Sequence, residues 1–251
     1  MKIDGKLLFT WARDLFPHHR SITGSGTIKT LNYLKKVLNN FKINKIKSGT
    51  KIFDWKVPQV WEIKNAYVMY KNGRKIIDYK KNNLHIVGYS SPFKGTLNYS
   101  ELNKKLYSIP NQKNAIPFIT SYYKKNWGFC LKDNVRKKIN KKEKFKVLVD
   151  TQFKNGYLNY GEFFKKGKVS SEIVFSTNIC HPSLGNNELS GILVSTALSK
   201  YLETINSYYS YRIIFVPETI GALCFLKKNI KNLKKIKAGF VLSCLGDNKN
   251  F

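Results

Sequence analysis

Acidic residues are scarce in this chain: 15 Asp and Glu stand against 45 Lys and Arg over 251 residues, a formal charge of +30. A surface of that sign attracts anions such as nucleic acid, anionic lipid or acidic glycans. Arginine is scarce as well, being confined to Arg13, Arg20, Arg74, Arg136 and Arg212. Base and phosphate recognition leans on the bidentate guanidinium fork. The excess therefore reads as lysine spread over a solvated surface, and nucleic acid is not the expected partner. The dense runs at 137–142 and 227–237 read as exposed loop and helix faces. Cysteine is limited to Cys130, Cys180, Cys224 and Cys244, with no C-x-x-C pair. That spacing argues against a disulfide framework. No run of about 18 apolar residues is present, which excludes a conventional transmembrane helix. The first residues, Met1-Lys2-Ile3-Asp4-Gly5-Lys6, lack an apolar signal-peptide core, so a cytoplasmic location is the expectation.

What is present is an apolar fraction of 42% with many aromatics, enough for a packed core. Leu7, Leu8, Trp11, Ala12 and Leu15 recur at helical spacing and stop before Pro17. A polar, glycine-bearing loop follows. Ile28, Leu31, Leu34, Val37, Leu38 and Phe41 then mark a second helix, with Thr23 or Ser25 available as its cap. From about 51 to 142 short strand-like runs alternate with turns such as Asn72-Gly73, which reads as a β-rich subdomain. From 145 onward apolar strand runs at 145–149, 173–176, 213–216 and 238–245 are separated by helical patterns, an α/β alternation with a mainly parallel sheet. The expected organisation is thus 1–50 as N-terminal helices of the core, 51–142 as an insert, and 143–251 as the rest of the core.

The most informative segment is Ile179-Cys180-His181-Pro182-Ser183-Leu184-Gly185-Asn186-Asn187-Glu188-Leu189-Ser190-Gly191. It places a histidine at the carboxyl end of a strand and a glutamate at the start of the next helix. That edge of an open α/β sheet is where ligands bind, and imidazole with carboxylate is the raw material of a zinc site. The plainer reading is a turn in which Asn187 caps the helix and Glu188 favours its positive end. Glu218 ends another strand, and Asp247 follows the last one; Asp150 also ends a strand. Each has a structural alternative as a cap or turn former. Cys180 beside His181 suggests a thiol nucleophile, but no second His–Asn/Asp pairing supports it.

Strand–His–turn–Asn-Asn-Glu-Leu-Ser-Gly–helix, followed by strand–Pro-Glu-Thr-Ile-Gly–helix, resembles an aminopeptidase-like family of unknown function in the zinc exopeptidase superfamily. The likeness extends to Phe16-Pro17-His18-His19-Arg20-Ser21-Ile22-Thr23-Gly24, to Val57-Pro58 through Ile63, and to Tyr89-Ser90-Ser91-Pro92-Phe93. It implies a three-layer α/β/α aminopeptidase-like core with a mainly parallel sheet, interrupted by a β-rich insert and followed by a winged-helix domain. The implied activity is zinc-dependent hydrolysis of peptide or related amide bonds, with one or two zinc ions. His181, Glu188 and Asp247 would be metal ligands, and Glu218 the general base, or a ligand where two metals are bound. Arg20, Ser21 and Thr23 would bind the polar end of the substrate. The chain departs from the wider superfamily at Ser183, where relatives carry an aspartate, and at Asn187, followed by Glu188, near the position of a bridging aspartate. It also ends at Phe251 with no histidine after His181, so the family's C-terminal part and final histidine ligand are expected to be missing. The competing expectation is a non-catalytic peptidase fold that holds nucleic acid or an acidic glycan on its lysines. A truncated product without function is the third, and it would show poor solubility.

Overall fold

The structure, a computed structural model, describes residues 3–246. Helix α1 (Gly5–Leu15) is capped by the Asp4 carboxylate, which accepts the Leu7 N–H at 3.0 Å. It ends at Phe16, where the following Pro17 forbids another turn. Helix α2 (Ser25–Val37) starts from Gly24 at φ 102°, ψ 177°, a conformation open to glycine, so neither Thr23 nor Ser25 is its cap. Strands β1 (Phe41–Lys47), β2 (Lys51–Ile52) and β3 (Trp55–Lys56) follow. Next come β4 (Val60–Tyr70), β5 (Lys75–Asp78), β6 (Phe93–Leu97), the short helix α3 (Tyr99–Asn103), β7 (Leu106–Tyr107) and β8 (Phe129–Cys130). Helix α4 (Asp133–Lys137) leads to β9 (Phe145–Lys154) and β10 (Tyr157–Lys165). The chain continues through β11 (Glu172–Asn178), a π-helical turn at Gly185–Leu189, α5 (Ser190–Thr204), β12 (Ser210–Val216), α6 (Ile220–Asn229) and β13 (Ile236–Val241).

Two compact units result. One is Trp61–Phe153, and the other joins the flanking segments up to Val60 and from Lys154. The larger unit holds a five-stranded sheet in the order β1-β10-β12-β11-β13. β10 is antiparallel to both β1 and β12, while β11 is parallel to β12 and β13, so four of the five strands share one direction. One face carries Phe41, Phe163, Ile213 and Phe215, packed against Leu15, Leu31, Leu34, Leu189, Ile192 and Leu202 of α1, α2, the π turn and α5. Each such fully buried side chain contributes roughly 1.5–3 kcal/mol, which drives the docking of these amphipathic helices. On the opposite face Tyr160 meets Phe225 of α6 edge-on at 6.4 Å. The layers are therefore helix, sheet, helix.

The smaller unit contains a four-stranded sheet in the order β5-β4-β9-β6. β9 pairs antiparallel with β6 from Phe93↔Val149 to Leu97↔Phe145. The expectation that 145–149 begins the α/β core, with boundaries at 50/51 and 142/143, is thereby corrected. The physical reason lies in the pattern: Phe145, Val147 and Val149 are buried in alternation with Lys146, Leu148 and Asp150, as in a one-sided antiparallel strand rather than a doubly buried parallel one. Asp150 thus belongs to the smaller unit's sheet. Asp247 lies outside the described residues.

Candidate metal centre

The parallel strands β11, β12 and β13 run into three strained loops. Ser183 (φ 47°), Thr219 (φ 60°) and Cys244 (φ 53°) are three of the six non-glycine residues with positive φ among the described residues. Positive φ is costly for a side chain, most of all for β-branched threonine, and such strain gathers at functional edges. Here it marks the carboxyl ends of parallel strands, where α/β sheets bind ligands.

His181 follows β11, and its ring is held from one side. Nδ1 lies 2.8 Å from Asn187 Oδ1 and 3.1 Å from Glu188 Oε2. Both neighbours are acceptors, which favours a proton on Nδ1 and turns the Nε2 edge of the ring the other way. Nε2 in turn faces Glu218 Oε2 at 3.2 Å. Glu218 is the open member of the group, its side chain 55% exposed. Its backbone N–H donates to Cys180 Sγ at 3.2 Å, tying the end of β12 to the end of β11.

Glu188 has no exposed side-chain surface, and each of its oxygens is engaged. Oε1 accepts Arg20 Nε at 3.1 Å, and Oε2 accepts the His181 backbone N–H at 2.6 Å. Burial pushes the Glu188 carboxyl above its usual range, although Arg20 and His181 oppose that shift. Arg20 is itself fully buried and donates from Nη1 to the Leu15 carbonyl at 2.7 Å. The chain Arg20–Glu188–His181 therefore orients the imidazole from behind, as second-layer carboxylates do in metal sites. Burial and the Arg20 charge lower the pKa values of the adjacent His18 and His19, the latter to about 4.

The expected site residues fall into different settings. Glu188 sits on the Nδ1 side of the ring, opposite Glu218, and each of its oxygens accepts a hydrogen bond. Arg20, Ser21 and Thr23 are all buried and do not present a polar surface to substrate. Ser21 exchanges backbone bonds with the Thr27 hydroxyl, and Thr23 Oγ1 reaches the Gln59 carbonyl at 3.4 Å. Asn187 partners the histidine ring rather than capping α5. The sequence offers Asn187 as a helix cap, or as the residue near the position of a bridging aspartate, and gives no sign of its bond to the ring.

The Ser-Gly that ends the motif also has a structural use. A Cβ on Gly191 would stand 2.2 Å from the Leu242 carbonyl oxygen and 2.4 Å from Thr177 Oγ1. Glycine thus lets the segment after β13 close over the turn, where Ser243 Oγ donates to the Asn187 carbonyl at 2.7 Å and the Leu245 N–H to Ser190 Oγ at 2.9 Å.

The fit of these residues to zinc is mixed. Two ligand atoms on one tetrahedral zinc, each about 2.0–2.2 Å from it, stand about 3.3 Å apart. His181 Nε2 and Glu218 Oε2, at 3.2 Å, meet that requirement. Among the described residues, the three side chains whose ligand atoms lie mutually within 4.8 Å are Cys180, His181 and Glu188. In that trio both Glu188 oxygens already accept hydrogen bonds from Arg20 and the His181 backbone, and burial pushes the Cys180 thiol well above its ordinary pKa, away from the thiolate a metal needs. That leaves His181 with Glu218, whose carboxylate is near enough to ligate beside the ring or to act on a water held there.

Residues 9–251 match the family described as Domain of unknown function (DUF4910). Over 243 residues the chain is 43% identical to a Clostridium acetobutylicum protein named "Putative polysaccharide biosynthesis protein with aminopeptidase-like domain", covering 97% of this chain and 56% of that one. A C. acetobutylicum crystal structure described as a "putative peptidase" matches with TM-score 0.95 and 43% identity, over 97% of this chain and 57% of its own. A zinc aminopeptidase from Bacillus subtilis matches with TM-score 0.63 and 14% identity, over 96% and 68% respectively. The fold is thus that of the aminopeptidases, and the chain spans a little over half the length of the C. acetobutylicum relative.

Proposed function

The chain belongs to the family described as Domain of unknown function (DUF4910), and from its aminopeptidase fold and its His181–Glu218 pair we propose that it hydrolyses peptide or related amide bonds with zinc. The observation that carries this reading is the His181 ring, locked at Nδ1 and presenting Nε2 to the Glu218 carboxylate at 3.2 Å. His181 would hold the metal through Nε2, with the Glu218 carboxylate beside it. Bound there, zinc would lower the pKa of a coordinated water to ~7 and polarise the scissile carbonyl.

Glu218, half in solvent, takes the proton from the attacking water and returns it to the departing amine. Asn187 and Glu188 keep the imidazole in the tautomer this requires, and Arg20 balances the buried Glu188 charge. Cys180 fixes the backbone from which Glu218 projects. The name of the C. acetobutylicum relative adds N-acylated sugar amides to the substrates worth assaying.

The test is turnover of aminoacyl p-nitroanilides and N-acetylhexosamines by the zinc-loaded chain and its variants. His181→Ala is expected to abolish zinc-dependent turnover. Glu218→Gln is expected to retain zinc while slowing turnover by roughly 10²–10⁴, the usual contribution of a general base. Turnover that survives His181→Ala contradicts the proposal.

A further inference from the structure

A cavity of about 210 Å³ lies in the smaller unit, between the β4–β5 hairpin and the end of α4. Its floor is Tyr70, and Ile76, Val135 and Ile139 form apolar walls. Three cations, Arg74, Lys75 and Lys138, surround it. Arg74, Lys75 and Ile76 are consecutive, and in a regular strand neighbouring side chains point to opposite faces. The register of β4 with β5 shifts between Val68↔Ile77 and Met69↔Lys75, so a bulge at Ile76 breaks that alternation. Lys75 and Ile76 can therefore line the same cavity, which is how bulges re-aim side chains.

The three cations are not equivalent. Lys75 is neutralised by Asp78, with Nζ 2.8 Å from Oδ2. Although burial opposes it, the Lys75 and Lys80 hydrogen bonds hold the Asp78 carboxyl below its usual range. Lys137, on the neighbouring turn, is likewise paired with Asp133 at 2.7 Å. Among the described residues neither Arg74 nor Lys138 has a carboxylate partner. Arg74 is also placed in advance: its guanidinium lies over the Tyr70 ring, 4.7 Å from the centroid. That ring is fixed by the Asn140 N–H donating to its hydroxyl at 3.2 Å and by Phe145 at 5.4 Å. The guanidinium edge keeps its fork of donors for an incoming oxyanion.

We propose that this cavity binds a small phosphate monoester, with the dianion held between Arg74 and Lys138 and its organic body against Ile76, Val135 and Ile139. Two unpaired monocations match the charge of a phosphate monoester near neutral pH. The volume is below the ~300–1,000 Å³ of sites for drug-sized ligands, which limits the body to about the size of a monosaccharide.

The test is titration of the full chain with glucose 6-phosphate at constant ionic strength, followed by amide chemical-shift changes. Glucose, glucuronate and inorganic phosphate serve as comparison ligands. Saturable one-to-one binding is expected, with shifts confined to 70–76 and 135–139, and with glucose inert. Arg74→Gln and Lys138→Gln are each expected to weaken binding by about tenfold or more, as for one charge-assisted hydrogen bond. Lys104→Gln, a charge removed elsewhere on the unit, is expected to leave affinity unchanged. Both substituted side chains in the cavity are exposed, so folding should survive, and circular dichroism checks it. Three results would overturn the proposal: shifts that fail to saturate, equal weakening by all three variants, or binding of glucuronate in preference to the phosphate esters.

Discussion

Replacing Arg20 with Met should unfold more than it repacks. The two side chains are similar in length, so little volume is lost, but Glu188 is left charged with no exposed surface. Removing one partner of a buried ion pair costs about 3–5 kcal/mol. For a chain of this size that corresponds to a fall in Tm of roughly 6–20 °C. The sign of the pH dependence follows from Glu188, whose carboxyl lies above the ordinary carboxylate range in the folded state because burial outweighs Arg20 and His181. A raised carboxyl pKa favours the folded state below the unfolded value and loses that advantage as pH rises through the folded value. Removing Arg20 raises the folded value further, so the penalty should grow from pH 5 to pH 7. Urea denaturation of wild type and R20M at both pH values measures it, with R20M/E188Q expected to cost less than the two single substitutions together. A penalty under 1 kcal/mol at pH 7, or one larger at pH 5, would refute the reasoning.

Gly191→Ala should destabilise by about 1–3 kcal/mol, because its Cβ meets the Leu242 carbonyl at 2.2 Å; thermal melts check this, and an unchanged Tm contradicts it. Thiol labelling of the native chain at pH 8 should modify Cys244 rapidly and spare the buried Cys130, Cys180 and Cys224. Burial pushes Cys130 up to about 12 and Cys224 to about 11, which compounds their inaccessibility, so two fast-reacting thiols would contradict the packing. Asn187→Ala should loosen the His181 tautomer. Nitrogen shifts of the imidazole should then move from a protonated Nδ1 toward a mixture, while an unchanged spectrum would assign that role to Glu188 alone.

The architecture was legible where hydrophobic period and turn chemistry agreed. Leu7 to Leu15 before Pro17, and Ile213 to Val216 before Pro217, left few alternatives, and both elements form as expected. β9 was misplaced because its strength as a strand was visible but its partner was not: pairing with β6 joins residues about 50 apart. The site was half legible. His181 and Glu218 end adjacent parallel strands, a relation that strand order makes local, and their side chains lie 3.2 Å apart. The role of Glu188 depends on Arg20, 168 residues away in sequence, and no spacing rule connects the two. The same long-range pair buries Arg20, since a guanidinium in a loop reads as exposed until its carboxylate is known.

Zinc content after metal-free purification and equilibration with zinc, compared for wild type, His181→Ala and Glu188→Gln, tests the central claim most directly. Zinc bound by the wild type should be lost in His181→Ala and weakened roughly 10–100-fold in Glu188→Gln, as for a residue that orients a ligand without touching the metal. A wild-type chain that is folded but binds no zinc, or zinc binding indifferent to His181, would contradict it.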